Sequence, residues 1–285
     1  MASKGPEVPL LSVEGLSFSY LDSPRAALTD VNLKINRGEI VILAGQSGCG
    51  KSTLLRCVNG LIPHMYPGDY KGRIVVDGDV VAETPMGKLA QMVGFLFQNP
   101  ENQIFMFSVE RDIAFGLENQ GLPRQEMRRR VDEVMGLLHI EPLALRPPHE
   151  LSDGQKQRVA LAGIIAMRPN LVILDEPTSL LDPKTASELV SLVSKLNKEL
   201  GITFVIVEHR LELLTPIADR IVVMDKGRVV MEGTPTEVLT NPASSTHGLA
   251  IPPVFSLYSE LAERGSRLPR APLTPEEMAQ ELNAP

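Results

Sequence analysis

The chain has 285 residues with 28 Lys and Arg against 35 Asp and Glu, a net charge of −7, and 43% hydrophobic content. That length suffices for one large domain with a buried core plus a small appendage, and the acidic balance offers a nucleic-acid partner no electrostatic help. Cys49 and Cys57 are too few for a disulfide framework and fit a reducing cytosol, while the longest uncharged apolar run, Val159 to Met167, is about half of what spans a bilayer.

Lys4, Pro6 and Glu7 precede any apolar run, which is unlike a signal peptide. Leu10 to Tyr20 and Leu28 to Ile35 alternate apolar and polar residues as strands do, and Asn36-Arg37-Gly38 supplies a turn. Ile40 to Ala44 is continuously apolar, as a fully buried parallel strand would be. A hairpin is expected at Arg73 to Val81 around Asp77-Gly78. Pro123 to His139 then has helical spacing at Met127, Val131, Val134 and Leu138, and Ser152 to Met167 also reads as helix.

Leu171 to Leu174 reads as a second buried strand, Lys184 to Leu200 as a helix, and Ile202 to Val207 as a third buried strand. Such alternation implies an α/β fold with a parallel sheet covered on both faces. Arg220 to Met231 adds a hairpin at Lys226-Gly227. From about Pro242 the chain turns proline-rich and irregular, ending in an element with Thr274 as N-cap, Pro275 at its first position and Glu277 three residues on.

The chemistry concentrates after the first buried strand. Gly45, Gln46, Ser47, Gly48, Cys49, Gly50, Lys51, Ser52 and Thr53 follow G-x-x-x-x-G-K-[ST] between a strand and a helix. Glycines allow backbone N–H groups to turn inward around phosphates at the positive end of a helix. Lys51 is expected on the β- and γ-phosphates and Ser52 on Mg²⁺. Asp175 and Glu176 end the second buried strand, where ligands sit in open α/β sheets. Asp175 would orient Mg²⁺, and Glu176 would accept a proton from an attacking water.

Leu151-Ser152-Asp153-Gly154-Gln155 resembles the LSGGQ signature of ATP-binding-cassette (ABC) ATPases. Gln98 looks like the family's Q-loop glutamine, Ser179 to Asp182 like its D-loop, His209 like its switch histidine, and Tyr20 like the aromatic that stacks on adenine. The resemblance covers about residues 10 to 240. It implies a P-loop ABC cassette with a mostly parallel core sheet, an antiparallel β subdomain and a helical signature subdomain at about 99–167. Residues 1–241 would form the ATPase domain and 242–285 a C-terminal extension that helps hold two subunits together.

In the family's head-to-tail dimer, Ser152, Gly154, Gln155 and Asp182 would act on ATP held by the other protomer, and Gln98 would join Ser52 and Asp175 on Mg²⁺. Two departures stand out. Asp153 replaces a glycine and would repel a γ-phosphate unless it points away, and Glu208-His209-Arg210 replaces the commoner Thr and Asp around the histidine.

Other phosphate binders fit less well. Asn197-Lys198 continues as Glu199-Leu200 rather than the guanine-reading N-K-x-D, and 100 positions from Lys51 to Leu151 leave no room for a long coiled coil. Phe97-Gln98-Asn99-Pro100-Glu101-Asn102-Gln103-Ile104-Phe105 and the stretch Leu151 to Arg158 look like the ATPases of energy-coupling-factor transporters, importers of vitamins and transition-metal ions. That likeness implies a membrane-spanning coupling subunit, a substrate-capturing subunit, and pairing as a homodimer or with a sister ATPase at the cytoplasmic face of the cell membrane. Glu101, Glu110 and Asp112 are candidates for docking arginine-bearing helices, or else a solvated acidic face. The ATPase of a binding-protein-dependent importer and a soluble ABC ATPase remain alternatives.

Overall fold

Period-two burial decides how the layers stack. In a computed structural model describing residues 8–283 except 22, 266, 267, 269 and 270, β1 (Leu11–Tyr20), β2 (Leu28–Ile35), β4 (Gly68–Val76) and β5 (Asp79–Val80) form an antiparallel sheet in the order β2-β1-β4-β5. Lys4, Pro6 and Glu7 lie outside the described residues. The second sheet runs β10-β9-β3-β8-β7-β6, from β3 (Ile40–Ala44), β6 (Val93–Leu96), β7 (Leu171–Asp175), β8 (Thr203–Val207), β9 (Arg220–Asp225) and β10 (Arg228–Gly233). Only the β10–β9 pairing in it is antiparallel.

Along β3, Ile40, Ile42 and Ala44 enter one apolar cluster, and Val41 and Leu43 enter another. β7, β8 and β9 alternate in the same way, as successive side chains of a strand must. One cluster lies against α3 (Val109–Asn119), α4 (Arg124–Leu138), α5 (Asp153–Ala166) and α6 (Pro183–Leu200). The other joins α1 (Lys51–Val58), α2 (Met86–Met92) and the antiparallel sheet. Both faces of the parallel strands are therefore covered, which explains their unbroken apolar runs.

The expected hairpins close on Asp77-Gly78 and Lys226-Gly227, all four at positive φ, as such two-residue turns require. Helix α3 has no counterpart among the expected elements, although its buried residues Val109, Ile113 and Leu117 recur at i, i+4 and i+8. Strand β6 ends at Leu96, leaving Phe97 exposed.

The segment after Pro242 corrects the irregular reading. It holds a short helix at Ala243–Thr246, then α7 (Pro253–Glu263) and α8 (Pro275–Leu282). Thr274 caps α8 by accepting from Glu277 N–H at 3.1 Å. Leu249, Phe255 and Met278 share the apolar cluster of Ile221 and Val238, so burial rather than periodicity orders this segment.

Candidate functional site: a phosphate loop at the strand ends

The parallel strands finish level with one another: Leu43 pairs with Val207, Val207 with Asp175, and Leu174 with Leu96. Loops leaving them carry Gly45, His209, Asp175 with Glu176, and Gln98 to one edge, where α/β sheets hold ligands.

The phosphate loop is built by close backbone approach. At Gly45 (φ 140°) a Cβ would meet the Met224 carbonyl oxygen at 2.2 Å, and at Gly50 (φ 112°) the Ala27 oxygen at 2.7 Å. Gly50 leads into α1 without any side-chain cap, leaving that helix end open to an anion. Lys51 is only 7% exposed, and its Nζ donates to the carbonyls of Gly45 at 2.7 Å and Gln46 at 2.9 Å. Gln46, Ser47, Gly48 and Ser52 stay exposed, while Cys49 and Thr53 are buried. Burial first of all pushes the Cys49 thiol up, so it adds no negative charge to the cradle.

Asp175 stands beside this loop with Ser52 as a hydrogen-bond partner. Burial, then the neighbouring Glu176 charge, raises its pKa above the usual carboxylate range, against Arg56, Lys51 and Ser52. A half-buried carboxylate crowded by another is a fit place for a cation, and carboxylate, hydroxyl and amide oxygens are the hard donors that Mg²⁺ takes. No group of three His, Cys, Asp or Glu that could hold a metal occurs among the described residues. The donors therefore suit an ion shared with phosphates rather than one caged by protein.

Two expected residues, Gln98 and His209, meet at Glu176. Gln98 Nε2 donates to its Oε2 at 2.8 Å, and His209 Nε2 lies 3.3 Å from its Oε1. Because Gln98 uses its nitrogen here, its amide oxygen is left for a cation. Glu176 itself sits at φ 49° with its N–H bonded to the Val207 carbonyl at 2.9 Å, which turns the side chain out of the strand line. Tyr20 packs edge-on against Phe18, with its hydroxyl 3.3 Å from Thr53 Oγ1 and 3.3 Å from the Arg56 guanidinium, at the flank of α1.

Two residues flanking His209, Glu208 and Arg210, have a structural role that no motif marks. Glu208 is 4% exposed, and its Oε1 accepts from the N–H groups of His209 (2.8 Å) and Arg210 (3.2 Å). Its Oε2 accepts from the Thr178 N–H at 3.3 Å and the Thr178 hydroxyl. Arg210 grips the same threonine through its Oγ1 (3.2 Å) and carbonyl. The two departures around His209 are thus one device, a buried carboxylate and a guanidinium that tie the histidine's turn to Thr178, two residues past Glu176. The departures from Thr and Asp were the available signal.

The signature lies on a separate element. Ser152 caps α5 in a reciprocal capping box with Gln155, Gln155 N–H to Ser152 Oγ at 3.4 Å and Ser152 N–H to Gln155 Oε1 at 3.0 Å. A Cβ on Gly154 would lie 2.5 Å from Thr185 Cγ2, so this position rests on the start of α6. Asp182 caps α6: its carboxylate accepts from the N–H groups of Lys184 (3.0 Å) and Thr185 (3.1 Å) and from the Thr185 hydroxyl (2.5 Å). The Thr185 hydroxyl above all holds its pKa below the ordinary value.

The three acids expected to dock a partner do not share one face. Glu101 lines a groove of about 290 Å³ with Ile104, Phe105, Met106 and Lys156. Asp112 is half-buried, its Oδ1 accepting from the N–H groups of Phe105 and Met106 at 3.0 Å each, and burial raises its pKa. Glu110 turns to Arg128 at 3.2 Å in a different cleft. Helix geometry separates them, since residues two apart point to different sides.

Comparison with known proteins bears on the same residues. The ABC transporter domain family matches residues 28–179. An energy-coupling factor transporter ATP-binding protein, EcfA1 of Geobacillus kaustophilus, is 41% identical over 275 residues, 96% of each chain. The structure of cbiO1 from Clostridium perfringens, described as part of the ABC transporter complex cbiONQ, superposes with TM-score 0.75 at 38% identity, covering 92% of this chain and 96% of that one. A dimeric ATP-binding cassette in a post-hydrolysis state, bound to ADP and Pi, gives TM-score 0.68 at 29% identity over 79% and 98%. This chain spans 41% of the length of two Methanosarcina relatives that it matches at 44% and 43% identity. With the family match covering more than half of its residues and laid over the phosphate loop, the signature and the paired carboxylates, the chain belongs to the ABC transporter ATPases.

Proposed function

We propose that this chain is the ATP-hydrolysing subunit of an energy-coupling-factor-type importer of a vitamin or transition-metal ion, working at the cytoplasmic face of the cell membrane. The meeting of Gln98, Glu176 and His209 beside the loop of Lys51 carries the reading. ATP binds with its phosphates on the N–H groups of Gly45 to Thr53 and its adenine against Tyr20. Lys51, whose ammonium has loop carbonyls as its oxygen partners among the described residues, turns to the β- and γ-phosphates.

Ser52, Asp175 and Gln98 would hold Mg²⁺, which supplies charge neutralisation at the phosphate oxygens. Glu176 takes a proton from water as the water oxygen bonds to the γ-phosphorus, the bond to the ADP oxygen breaks, and phosphate leaves. Gln98 and His209 fix both carboxylate oxygens of Glu176, which aims the base.

A second copy, or a sister ATPase, supplies Ser152, Gly154, Gln155 and Asp182 from the opposite side, so the γ-phosphate joins two subunits. The dimeric relative bound to ADP and Pi supports this arrangement by similarity. In this reading residues 1–241 are the ATPase domain, with helices of about 99–167 presenting the signature, and 242–285 add a contact between subunits. Glu101 faces the membrane-spanning coupling subunit, Asp112 shapes the loop beside it, and Glu110 is peripheral. No helix among the described residues is long and apolar enough to cross a membrane, so such a partner would provide the anchor. EcfA1 and cbiO1 support the importer type by similarity along nearly the whole chain.

Replacing Glu176 by Gln tests the hydrolytic centre. Turnover should fall about 10²- to 10⁴-fold while an ATP-bound dimer accumulates in size-exclusion chromatography with light scattering. Normal turnover would remove Glu176 from the role of base. Isolation from native membranes tests the importer type: a small substrate-capturing membrane subunit should co-purify, whereas companions that include a solute-binding protein would contradict it.

A further inference from the structure

The notable feature of the signature tip is a cation shared by two acids. Lys156, on the first turns of α5, is 13% exposed in its side chain, yet both carboxylates near it are largely open to solvent, Glu101 at 60% and Asp153 at 63%. Its ammonium bonds Glu101 Oε1 and lies 3.8 Å from Asp153 Oδ1. Asp153 directly follows the cap residue Ser152, in the first turn of α5. Glu101 lies three residues beyond Gln98, in a short turn fixed by Asn99, whose Oδ1 accepts the Glu101 N–H at 2.9 Å. The same Glu101 and Lys156 line the groove of exposed Phe105.

We propose that Lys156 is a positioning residue that sets the charge of the signature tip, and that Glu101 and Asp153 compete for it. This rests on the reading above in which α5 faces the γ-phosphate of a paired subunit. With Lys156 committed to Glu101, the Asp153 carboxylate is under-neutralised and opposes a phosphate brought to Ser152 and Gly154. A cationic side chain entering the groove takes over Glu101 and leaves Asp153 as the remaining partner of Lys156. The ammonium then swings to Asp153, holds that carboxylate aside and cancels its charge. Occupation of the groove by a positively charged helix thereby favours closure on ATP, with no backbone movement between the two places. An aspartate in a position that phosphate should disfavour becomes the sensor of a docked partner.

Exposed ion pairs are worth up to about fivefold in an equilibrium constant, and a symmetric dimer has two, so the effect on association reaches at most about 25-fold. The experiment measures Mg²⁺- and ATP-dependent association of the full chain by sedimentation, with Glu176→Gln in every protein to block hydrolysis. Adding Lys156→Met should weaken association several-fold. Combining it with Asp153→Asn should restore it, because the uncompensated charge is gone, and Lys156→Arg should hold it near the parent. Glu101→Gln alone should strengthen association without any membrane partner, by freeing Lys156 for Asp153, and these differences should shrink at 1 M salt.

Unchanged association with Lys156→Met overturns the proposal. So does a loss that Asp153→Asn leaves in place, since that would mark a role confined to folding, and so does a Glu101→Gln protein that associates no better than its parent. If the Glu176→Gln parent itself does not associate with ATP, the two-sided grip fails and the relay falls with it. Failure of the variants alone refutes only the relay.

Discussion

The phosphate loop and the tip of α5 both offer backbone N–H groups at a helix start, but they are finished to different degrees. The loop is closed within the chain. Gly45 and Gly50 lie against backbone of β9 and of the segment before β2, the Gly227 N–H bonds the Cys49 carbonyl at 2.8 Å, and Lys51 is buried with its ammonium satisfied. The tip is held by a capping box on an exposed serine, and the aspartate beside it is open to solvent. A prebuilt cradle lets one subunit bind nucleotide with little reorganisation. In the proposed dimer, the open tip has nothing to grip until another molecule brings the phosphate to it. Binding and association should therefore be separable by mutation.

Lys51→Ala breaks the first half. Removing a cation that forms charge-assisted contacts to phosphate should cost about 100-fold or more in ATP affinity, measured by titration calorimetry on the monomer. Affinity within a few-fold of the parent would contradict the loop assignment. Ser152→Ala breaks the second half. The cap loss costs about 1 kcal/mol in α5, and ATP-dependent dimerisation should fall about tenfold while nucleotide binding by the monomer stays within about twofold. Equal losses in binding and association would erase the distinction between the two regions.

Much of this division was legible from residues alone. Strands with unbroken apolar runs, Ile40–Ala44 and Leu171–Leu174, announce themselves because both faces are buried, and two-residue turns at Asp77-Gly78 and Lys226-Gly227 fix the hairpins. Motifs tied to backbone chemistry, such as the loop of Lys51 or the cap at Ser152, are local and so survive in a linear reading. What escaped was long-range. The buried contact of Glu208 with Thr178 spans thirty residues, the Lys156 contact with Glu101 fifty-five, and neither has a periodic signature. Helix α7 hid behind prolines at 252 and 253 that in fact start it, Pro253 occupying its first turn. The acids at 101, 110 and 112 looked like one patch because sequence proximity says nothing about which way a helix turns them.

Asp175 offers the smallest effect and the finest test of a prebuilt site. Burial and the adjacent Glu176 raise its pKa, so the folded chain releases this proton less readily than the unfolded chain does. For an acid of that kind the unfolded state binds fewer protons between the two pKa values. The stabilising contribution is then complete below the unfolded pKa and is lost as pH rises through the folded one. At pH 7 the nucleotide-free protein carries an ionised carboxylate that its surroundings disfavour. Asp175→Asn removes that charge and keeps an oxygen for Ser52, so the nucleotide-free Tm should rise at pH 7, by about 2–4 °C for each 1 kcal/mol. The gain should fade as pH is lowered until Asp175 is protonated in the folded parent. With Mg²⁺ and ATP present the order should reverse, because the parent gains ligand stabilisation that the variant has lost. A lower Tm for the nucleotide-free variant at pH 7 would mean that Asp175 stabilises the fold, and that the cation site is not held in readiness at a cost in stability.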